Sequence, residues 1–361
     1  MLTGNIISAI EEFAPPSLQE SWDNTGLQVG SRRADCNGVL LCVDVTPAVV
    51  REAVGRGCNL IVSHHPLIFK GLKHITGNTP VEEAVALAIK NGITVYSSHT
   101  AADSAVGGVS YEMARRLGAR PEGVLSPLRG LSVRVSATVD RDAAQTALLS
   151  FFDLADTYGL SEVRAVAADA VCSAMPLASA EPLADVSDRD VTVITAVTAC
   201  ANAAAIGDRL AESLGDRLRG FSYTNIEDTD RRIGLGLRAV FDQAVTPAQL
   251  IAKVKDAFGS PTARCSALAA SDTPIRRIAM CGGSGGEFIG TALRGGAQAY
   301  ISSDIRYHDF VDYGNDILII DIGHYESESC TKEIFYRVIK EKFPNFATYY
   351  SETEQNPIKY I

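Results

Sequence analysis

The sequence predicts an α/β protein: a main domain of two α/β halves, each with helices covering a mostly parallel sheet, and an inserted α+β domain. Strand-like apolar runs alternate with amphipathic helices over residues 39–98 and again over residues 277–321. Between them, residues 129–230 have a different composition, rich in Ala, Asp and Val. At 361 residues, the chain also exceeds the length at which a single core keeps growing.

The first half supports this prediction element by element. Residues 1–14 carry isoleucines at helical spacing and stop at Pro15-Pro16, which predicts a helix. Thr46-Pro47 is typical of a helix start, with an N-cap followed by proline. The subsequent predicted elements are strand 39–45, helix 48–56, strand 58–63, helix 80–90 and strand 93–98.

The insertion and the second half follow. Residues 129–230 contain no histidine, and their order of strands and helices predicts a ferredoxin-like module. Residues 1–128 and 231–361 would then form one discontinuous domain. In the insertion the predicted elements are strand 131–139, helix 141–154, strand 191–197, helix 202–214 and strand 221–225. Beyond it they are a helix from residue 246, strand 277–281, helix 287–294, strand 297–302, a helix holding Asp304, His308 and Asp309, and strand 316–321.

Composition excludes several classes of function. The net charge of -10 and the absence of basic runs argue against nucleic acid as the main partner. No basic leader precedes the first helix and no apolar run reaches the length of a membrane span, so we expect a cytoplasmic protein. The eight cysteines never form C-x-x-C, which predicts reduced and mostly buried thiols.

Histidines gather where predicted strands end. His64-His65-Pro66 follows one strand, and His99 and Asp103 follow the next. Ligand sites of parallel sheets lie at these carboxyl ends. Neighbouring strand residues face opposite ways, so both histidines of the pair can reach one site only where the strand breaks, and Pro66 supplies that break.

A third cluster completes a predicted metal site. His324 and Glu328 stand four residues apart at a helix start and therefore share a face. With His64, His65 and Asp103 they offer three imidazoles and two carboxylates, too many for one tetrahedral ion. The sequence thus predicts two divalent ions with a bridging carboxylate, and the donor set admits zinc, iron, manganese or nickel.

Three features leave alternatives open. The loop Gly282–Gly286 could cradle a phosphate, although a tight turn with close backbone packing is favoured because no Walker lysine follows. His308 is either a support for a metal ligand or a surface helix residue. His74 lies in a loop with Lys70 and Lys73 and is expected in solvent, unless that loop meets an anionic substrate.

At these residues the chain resembles the Nif-three-like proteins, also called GTP cyclohydrolase I type 2 homologues. The family's metal ligands correspond to His64, His65, Asp103, His324 and Glu328. In the family motif H-T-N-x-D, Ala101 replaces the asparagine, and Ser303 replaces the glycine of G-D-I. The stretches that carry the resemblance are 22–30, 63–73, 99–103 with Gly107-Gly108, 282–285, 304–309 and 323–328.

The resemblance implies a dinuclear metal-dependent hydrolase. On GTP, hydroxide would add at C8 of the purine and open the imidazole ring with release of formate; His99, near Asp103 and not needed as a ligand, is the candidate for proton transfer. A phosphoesterase acting on a nucleotide or another phosphate-bearing small molecule, or a non-catalytic metal-binding or regulatory assembly, remains open. The resemblance also implies a toroidal homohexamer and an inserted domain similar to signal-transduction and CutA-type folds.

Overall fold

The computed structural model describes residues 1–167, 191–226 and 230–361. Its strands, within these ranges, are β1 (Gly26–Val29), β2 (Val39–Cys42), β3 (Leu60–Ser63), β4 (Thr94–Ser97), β5 (Arg120–Pro127), β6 (Ser132–Asp140), β7 (Ser161–Ala167), β8 (Val191–Ala199), β9 (Leu218–Asn225), β10 (Gly234–Val245), β11 (Arg264–Cys265), β12 (Ile275–Ser284), β13 (Ala299–Ser303), β14 (Leu318–Asp321) and β15 (Thr348–Tyr350).

Helices cover these strands and begin where the sequence supplies caps. Thr46, Thr79 and Thr246 each accept a hydrogen bond from the backbone three residues on, and each precedes a proline that fits the first helical turn. The α-helices in the same ranges are α1 (Thr3–Phe13), α2 (Pro47–Gly55), α3 (Pro80–Lys90), α4 (Thr100–Ser104), α5 (Val109–Arg116), α6 (Ala144–Tyr158), α7 (Ala203–Leu214), α8 (Pro247–Phe258), α9 (Ile289–Arg294), α10 (Tyr307–Tyr313), α11 (His324–Glu328) and α12 (Thr331–Lys342).

The first sheet has the strand order β1-β4-β3-β2-β15. Strands β4, β3, β2 and β15 run parallel, and β1 joins the edge antiparallel to β4. The three central strands are buried along their whole length, which explains their unbroken apolar sequence. Strand β1 was not predicted, because Gly26–Val29 is short and sits among turn-forming residues.

The second sheet has the order β11-β14-β13-β12-β10-β5. Its β12-β13-β14 core is parallel as predicted, whereas β11, β10 and β5 pair antiparallel. Strand β10 was not predicted, because the glycines of Gly234–Val245 interrupt the apolar pattern. The α/β class is confirmed, and this sheet is more mixed than the sequence suggested.

The chain divides into two compact units, one of Met1–Leu128 with Asp230–Ile361 and the other of Arg129–Thr229. In the second unit the described elements run β6-α6-β7-β8-α7-β9, and the sheet order β7-β8-β6-β9 is antiparallel throughout. This is the β-α-β-β-α-β order of ferredoxin-like folds. Alternate residues of β6 and β8 are buried, and the buried residues pack with α6 and α7.

Two further expectations concern the whole chain. The cysteines that the structure describes are free of disulfides, as predicted; Cys172 lies outside the described residues, and Cys200 is exposed rather than buried. Among the residues that the structure describes, no helix has the length and apolarity needed to cross a bilayer.

The pairing of strands β5 and β10 predicts that the first unit folds without the insertion. They pair as a hairpin whose ends meet, with the Leu128 N–H donating to the Ile233 carbonyl at 3.0 Å. We expect a variant with Asn-Gly in place of residues 129–232, which removes the second unit and the first three residues of the returning segment, to fold, because this dipeptide favours the two-residue turn that the register requires. Circular dichroism and thermal unfolding would show one cooperative transition, and ion content per chain would equal that of the full chain.

A second variant with a flexible Gly-Ser linker of about ten residues is the control for turn strain. Aggregation or loss of ion binding in both variants would show that the first unit depends on the insertion.

Candidate metal centre

The predicted ligands come together at the carboxyl ends of strands from both sheets of the first unit. His64 and His65 directly follow β3, and Asp103 lies in α4, just beyond β4. His324 and Glu328 lie at the two ends of α11, which follows β14. The strands stop as the sequence analysis required, so the adjacent rings of His64 and His65 both turn into one cluster with centroids 5.0 Å apart.

Glu328 is the residue on which the cluster converges. Its Oε2 lies 2.9 Å from Nε2 of His65 and 3.0 Å from Nε2 of His324. Its Oε1 lies 3.6 Å from Nε2 of His64. The carboxylate is almost fully buried, and its two oxygens serve different imidazoles. This is the arrangement that a bridging carboxylate needs.

Asp103 and His64 present unsatisfied atoms to the same space. Nε2 of His64 and Oδ1 of Asp103 are 3.8 Å apart, and both are buried without a hydrogen-bond partner among the described residues. Burial raises the pKa of Asp103 to about 7. Buried polar atoms without partners are costly, and two atoms that can each offer a lone pair at this distance fit a cation between them.

Each ligand imidazole is fixed through its other nitrogen. Nδ1 of His64 faces the Ser98 carbonyl at 3.2 Å, and Nδ1 of His65 lies 2.8 Å from Asp44 Oδ1. Nδ1 of His324 lies 2.6 Å from the carboxylate of Asp304. Such contacts set the tautomer and leave Nε2 available for coordination.

The electrostatics around Glu328 favour a positive charge. Burial lowers the pKa of His65, but hydrogen bonds to Asp44 and Glu328 outweigh it and raise the pKa to about 10. Burial also lowers the pKa of His324, but Glu328 and Asp304 outweigh this effect and raise the pKa to about 9. Burial alone would raise the pKa of Glu328, but the imidazoles hold it well below its usual range. Without an ion, protonated histidines supply the charge that the carboxylates require.

Three sets of ligand atoms have metal-site spacing; one is His64, His65 and His99, and the other two include Glu328. Of these two, His65, His324 and Glu328 form one, and His64, Asp103 and Glu328 form the other, with all ligand atoms of a set within 4.8 Å of one another. Nitrogen and carboxylate donors in this mixture suit first-row divalent metals. The residues therefore fit a metal ion, and Glu328 belongs to two of the three sets.

His99 stands beside the ligands and is oriented by a residue that sequence analysis missed. A ring nitrogen of His99 lies within 4.8 Å of nitrogens of His64 and His65. Nδ1 of His99 lies 2.8 Å from Oδ1 of Asp23, whose other oxygen accepts the Thr100 N–H at 3.0 Å. Burial opposes ionisation of Asp23, but these hydrogen bonds lower its pKa below the usual range.

The predicted helix holding Asp304 and His308 needs correction. Asp304 precedes α10 and adopts φ of +54°, which no α-helix accommodates, and this bend directs its carboxylate to His324. His308 is exposed and packs edge-on against Tyr307 with ring centroids 5.4 Å apart. His308 is thus the surface helix residue of the two alternatives. Asp304 is the residue that supports a predicted ligand, His324. His74, Lys70 and Lys73 are exposed.

The glycine loop packs directly against the ligands. Gly283 has φ of +62°, and its N–H donates to Ser327 Oγ at 2.9 Å. A Cβ at this position would overlap Oε1 of Glu328 and approach Cε1 of His324 to 3.4 Å. Close backbone packing, the alternative favoured from the sequence, is therefore what the loop provides at Gly283.

The C-terminal segment supports the loop that follows β2. Oε1 of Glu354 accepts the N–H groups of Val43 and Asp44 at 2.6 and 2.7 Å. Lys332 donates to Oε2 of Glu354 at 2.7 Å. The same loop carries the Asp44 carboxylate that orients His65, so residue 354 helps to fix a ligand more than 280 positions earlier. No motif in the sequence indicates this contact.

Comparisons with known proteins agree with the motifs. The sequence model of the Duf34/NIF3 (NGG1p interacting factor 3) family matches residues 1–357. The chain is 27% identical over 373 residues to the GTP cyclohydrolase 1 type 2 homolog of Bacillus subtilis, covering 99% of this chain and 98% of that protein. It is 28% identical over 370 residues to the protein of the same name from Halalkalibacterium halodurans, again covering 99% and 98%.

Solved structures show the same fold. A crystal structure of a Staphylococcus aureus protein superposes with a TM-score of 0.80 at 24% identity, covering 100% of this chain and 99% of that one. A Bacillus cereus protein related to NIF3 superposes with a TM-score of 0.78 at 24% identity, with the same coverage. At this level of identity, the likeness concerns the fold.

We expect Gly283→Ala to lose bound metal. The added methyl group would displace the Glu328 carboxylate, and φ of +62° disfavours alanine as well. Ion content measured by mass spectrometry should fall to less than half of the parent's. Gly71→Ala, in the exposed loop after Phe69 where nothing lies within 4 Å of the added carbon, is the matched control. Full ion content in Gly283→Ala, with the fold intact, would contradict the packing argument.

Metal binding should release protons. Since the pKa values of His65 and His324 are raised to about 10 and about 9, both rings carry a proton in the metal-free protein below about pH 9. Coordination requires neutral imidazole, so apparent affinity should rise between pH 6 and pH 8 and level off near pH 10. At pH 8, where Asp103 with its pKa of about 7 has already lost its proton, calorimetry of Mn²⁺ binding in buffers of different ionisation enthalpy should give about two protons per loaded chain. A value of zero would contradict this electrostatic picture.

Proposed function

The chain belongs to the Duf34/NIF3 family, and we propose that it is a dinuclear metal-dependent hydrolase that opens the ring of a purine nucleotide. The observation that carries the proposal is the position of Glu328 in two sets of ligand atoms, each with metal-site spacing. The names of the relatives as GTP cyclohydrolase 1 type 2 homologs support the choice of GTP. His64, His65, Asp103, His324 and Glu328 are the proposed ligands.

When bound, two divalent ions of zinc, iron, manganese or nickel lower the pKa of a water and stabilise developing negative charge. The net reaction consumes two waters. One adds at C8 and opens the imidazole ring to leave a formamide, and the second hydrolyses that formamide to release formate. The ring nitrogens that leave C8 need protons.

His99 is the residue that moves those protons. Asp23 holds Nδ1, so Nε2 is free to exchange a proton with the substrate. Burial beside the ligands keeps the ring in place, with 16% of its side chain exposed. Asp23 is a positioning residue because it acts through the imidazole.

Two other functions would use the same ligands. A phosphoesterase would employ the two ions on a phosphorus centre. A non-catalytic metal-binding assembly would hold the ions without turnover. The toroidal homohexamer that the resemblance implies, and a cytoplasmic location, are part of the proposal; light scattering of the purified chain measures the subunit number.

The first test compares substitutions of proposed ligands with a substitution of a histidine outside the metal centre. We expect His65→Ala and Glu328→Ala to lose bound ions and to abolish formate release from GTP, because each removes a donor that is close to another ligand. His308→Ala changes an exposed histidine and is the matched control. Formate and the loss of purine absorbance report ring opening, whereas phosphate release instead would identify a phosphoesterase.

His99→Gln is expected to keep its ions and to lower kcat about 10²- to 10⁴-fold, the usual contribution of a positioned acid or base. Asp23→Asn should lower kcat less and alter its dependence on pH. Turnover absent in the metal-loaded parent for both GTP and phosphodiesters would favour the non-catalytic assembly.

A further inference from the structure

Two exposed aromatic rings flank His99 at the edge of the metal centre. Trp22 is 59% exposed and Phe69 is 47% exposed. The centroid of the His99 ring lies 6.0 Å from that of Trp22 and 6.3 Å from that of Phe69. Beyond His99, the rings of His64 and His65 lie only 5.2 and 5.4 Å away. A planar group stacked on either aromatic ring would thus be separated from the predicted metal ligands only by the His99 ring.

The backbone that carries these rings is held in place. Asp23, next to Trp22, is fixed by the hydrogen bond with His99. Asn24 donates to the Ile68 carbonyl at 2.6 Å, which ties the Trp22 turn to the segment bearing the second ring. Exposed side chains on a fixed backbone form a preorganised surface, so binding a ligand there would cost little ordering of the chain.

The two rings leave faces open. Trp22 and Phe69 have centroids 6.1 Å apart and planes inclined by 60°, so they do not stack on each other. Lys70 and Lys73, exposed in the loop after Phe69, provide positive charge nearby in sequence. Aromatic faces with adjacent cations suit a ligand that combines a flat ring with phosphate.

We propose that Trp22 and Phe69 form an aromatic clamp, in which the purine ring of a nucleotide stacks on the exposed face of one of the two rings and presents its edge to His99 and the metal ligands. The proposal rests on the proposed function, since it names the substrate feature that this same site recognises. Base stacking on aromatic side chains contributes enough that losing one ring weakens binding roughly 5- to 100-fold. A sugar phosphate without a purine would gain nothing from the clamp.

The chain contains one tryptophan, so Trp22 itself reports occupancy. With the metal-loaded full chain excited at 295 nm, GTP should quench the emission in a saturable manner, and ribose 5-phosphate should not. Acrylamide should reach Trp22 before GTP is added and be excluded afterwards. Shielding from acrylamide without ligand would mean that a second copy covers the ring, which would overturn the proposal.

Variants test the second ring. Phe69→Leu should weaken GTP binding roughly 5- to 100-fold at unchanged ion content, and Phe69→Tyr should restore it, because only the latter keeps an aromatic face. Phe152→Leu makes the same change at a phenylalanine that is 55% exposed in the second unit, and it should bind as the parent does. Parent-like binding by Phe69→Leu would overturn the clamp.

The clamp and the proposed function fail in different ways. If GTP quenches Trp22 and Phe69→Leu weakens that binding, but no formate appears, the clamp stands and the hydrolase does not. If formate release persists with unchanged KM in Trp22→Leu and Phe69→Leu, the hydrolase stands and the clamp is wrong.

Discussion

The buried carboxylate of Glu328 is the constraint on which the centre depends. A carboxylate out of contact with water is tolerated only when it is paired and hydrogen-bonded. Here it is shared by three imidazoles from two different sheets. The carboxyl ends of both sheets must therefore face one another, and the glycine at position 283 must leave room for the carboxylate. Fold and chemistry are coupled through this single side chain.

Three carboxylates around the centre hold the imidazoles in position. Asp44 and Asp304 hold two ligand imidazoles by their far nitrogens, and Asp23 does the same for His99. Each imidazole thus has a fixed orientation before any ion arrives. The ligand cluster is preorganised, with protonated His65 and His324 offsetting the negative charge that an ion would otherwise neutralise.

Much of this could be predicted because parallel sheets collect ligands at strand ends, a rule that needs only the strand pattern. This rule pointed to the chain segments that hold all five proposed ligands and His99. Asp44 lies near the end of the predicted strand 39–45, although the observed strand β2 already ends at Cys42, so the same rule could have identified it. Asp304 could not be placed, because its left-handed backbone has no sequence signal beyond an aspartate that tolerates it. The role of Glu354 could not be predicted either, since its carboxylate contacts backbone groups of a loop that is distant in sequence.

The long separation of the ligands in sequence sets the order of events during synthesis. His65 and Glu328 are 2.9 Å apart in space but 263 positions apart along the chain. At about 5 to 20 residues per second, a ribosome takes roughly 13 to 53 seconds to bridge that gap. Until then the histidine pair has no Glu328, and Glu354 follows later still. A metal site that includes Glu328 is therefore complete only after most of the chain has been made, so it cannot act as an early nucleus for folding.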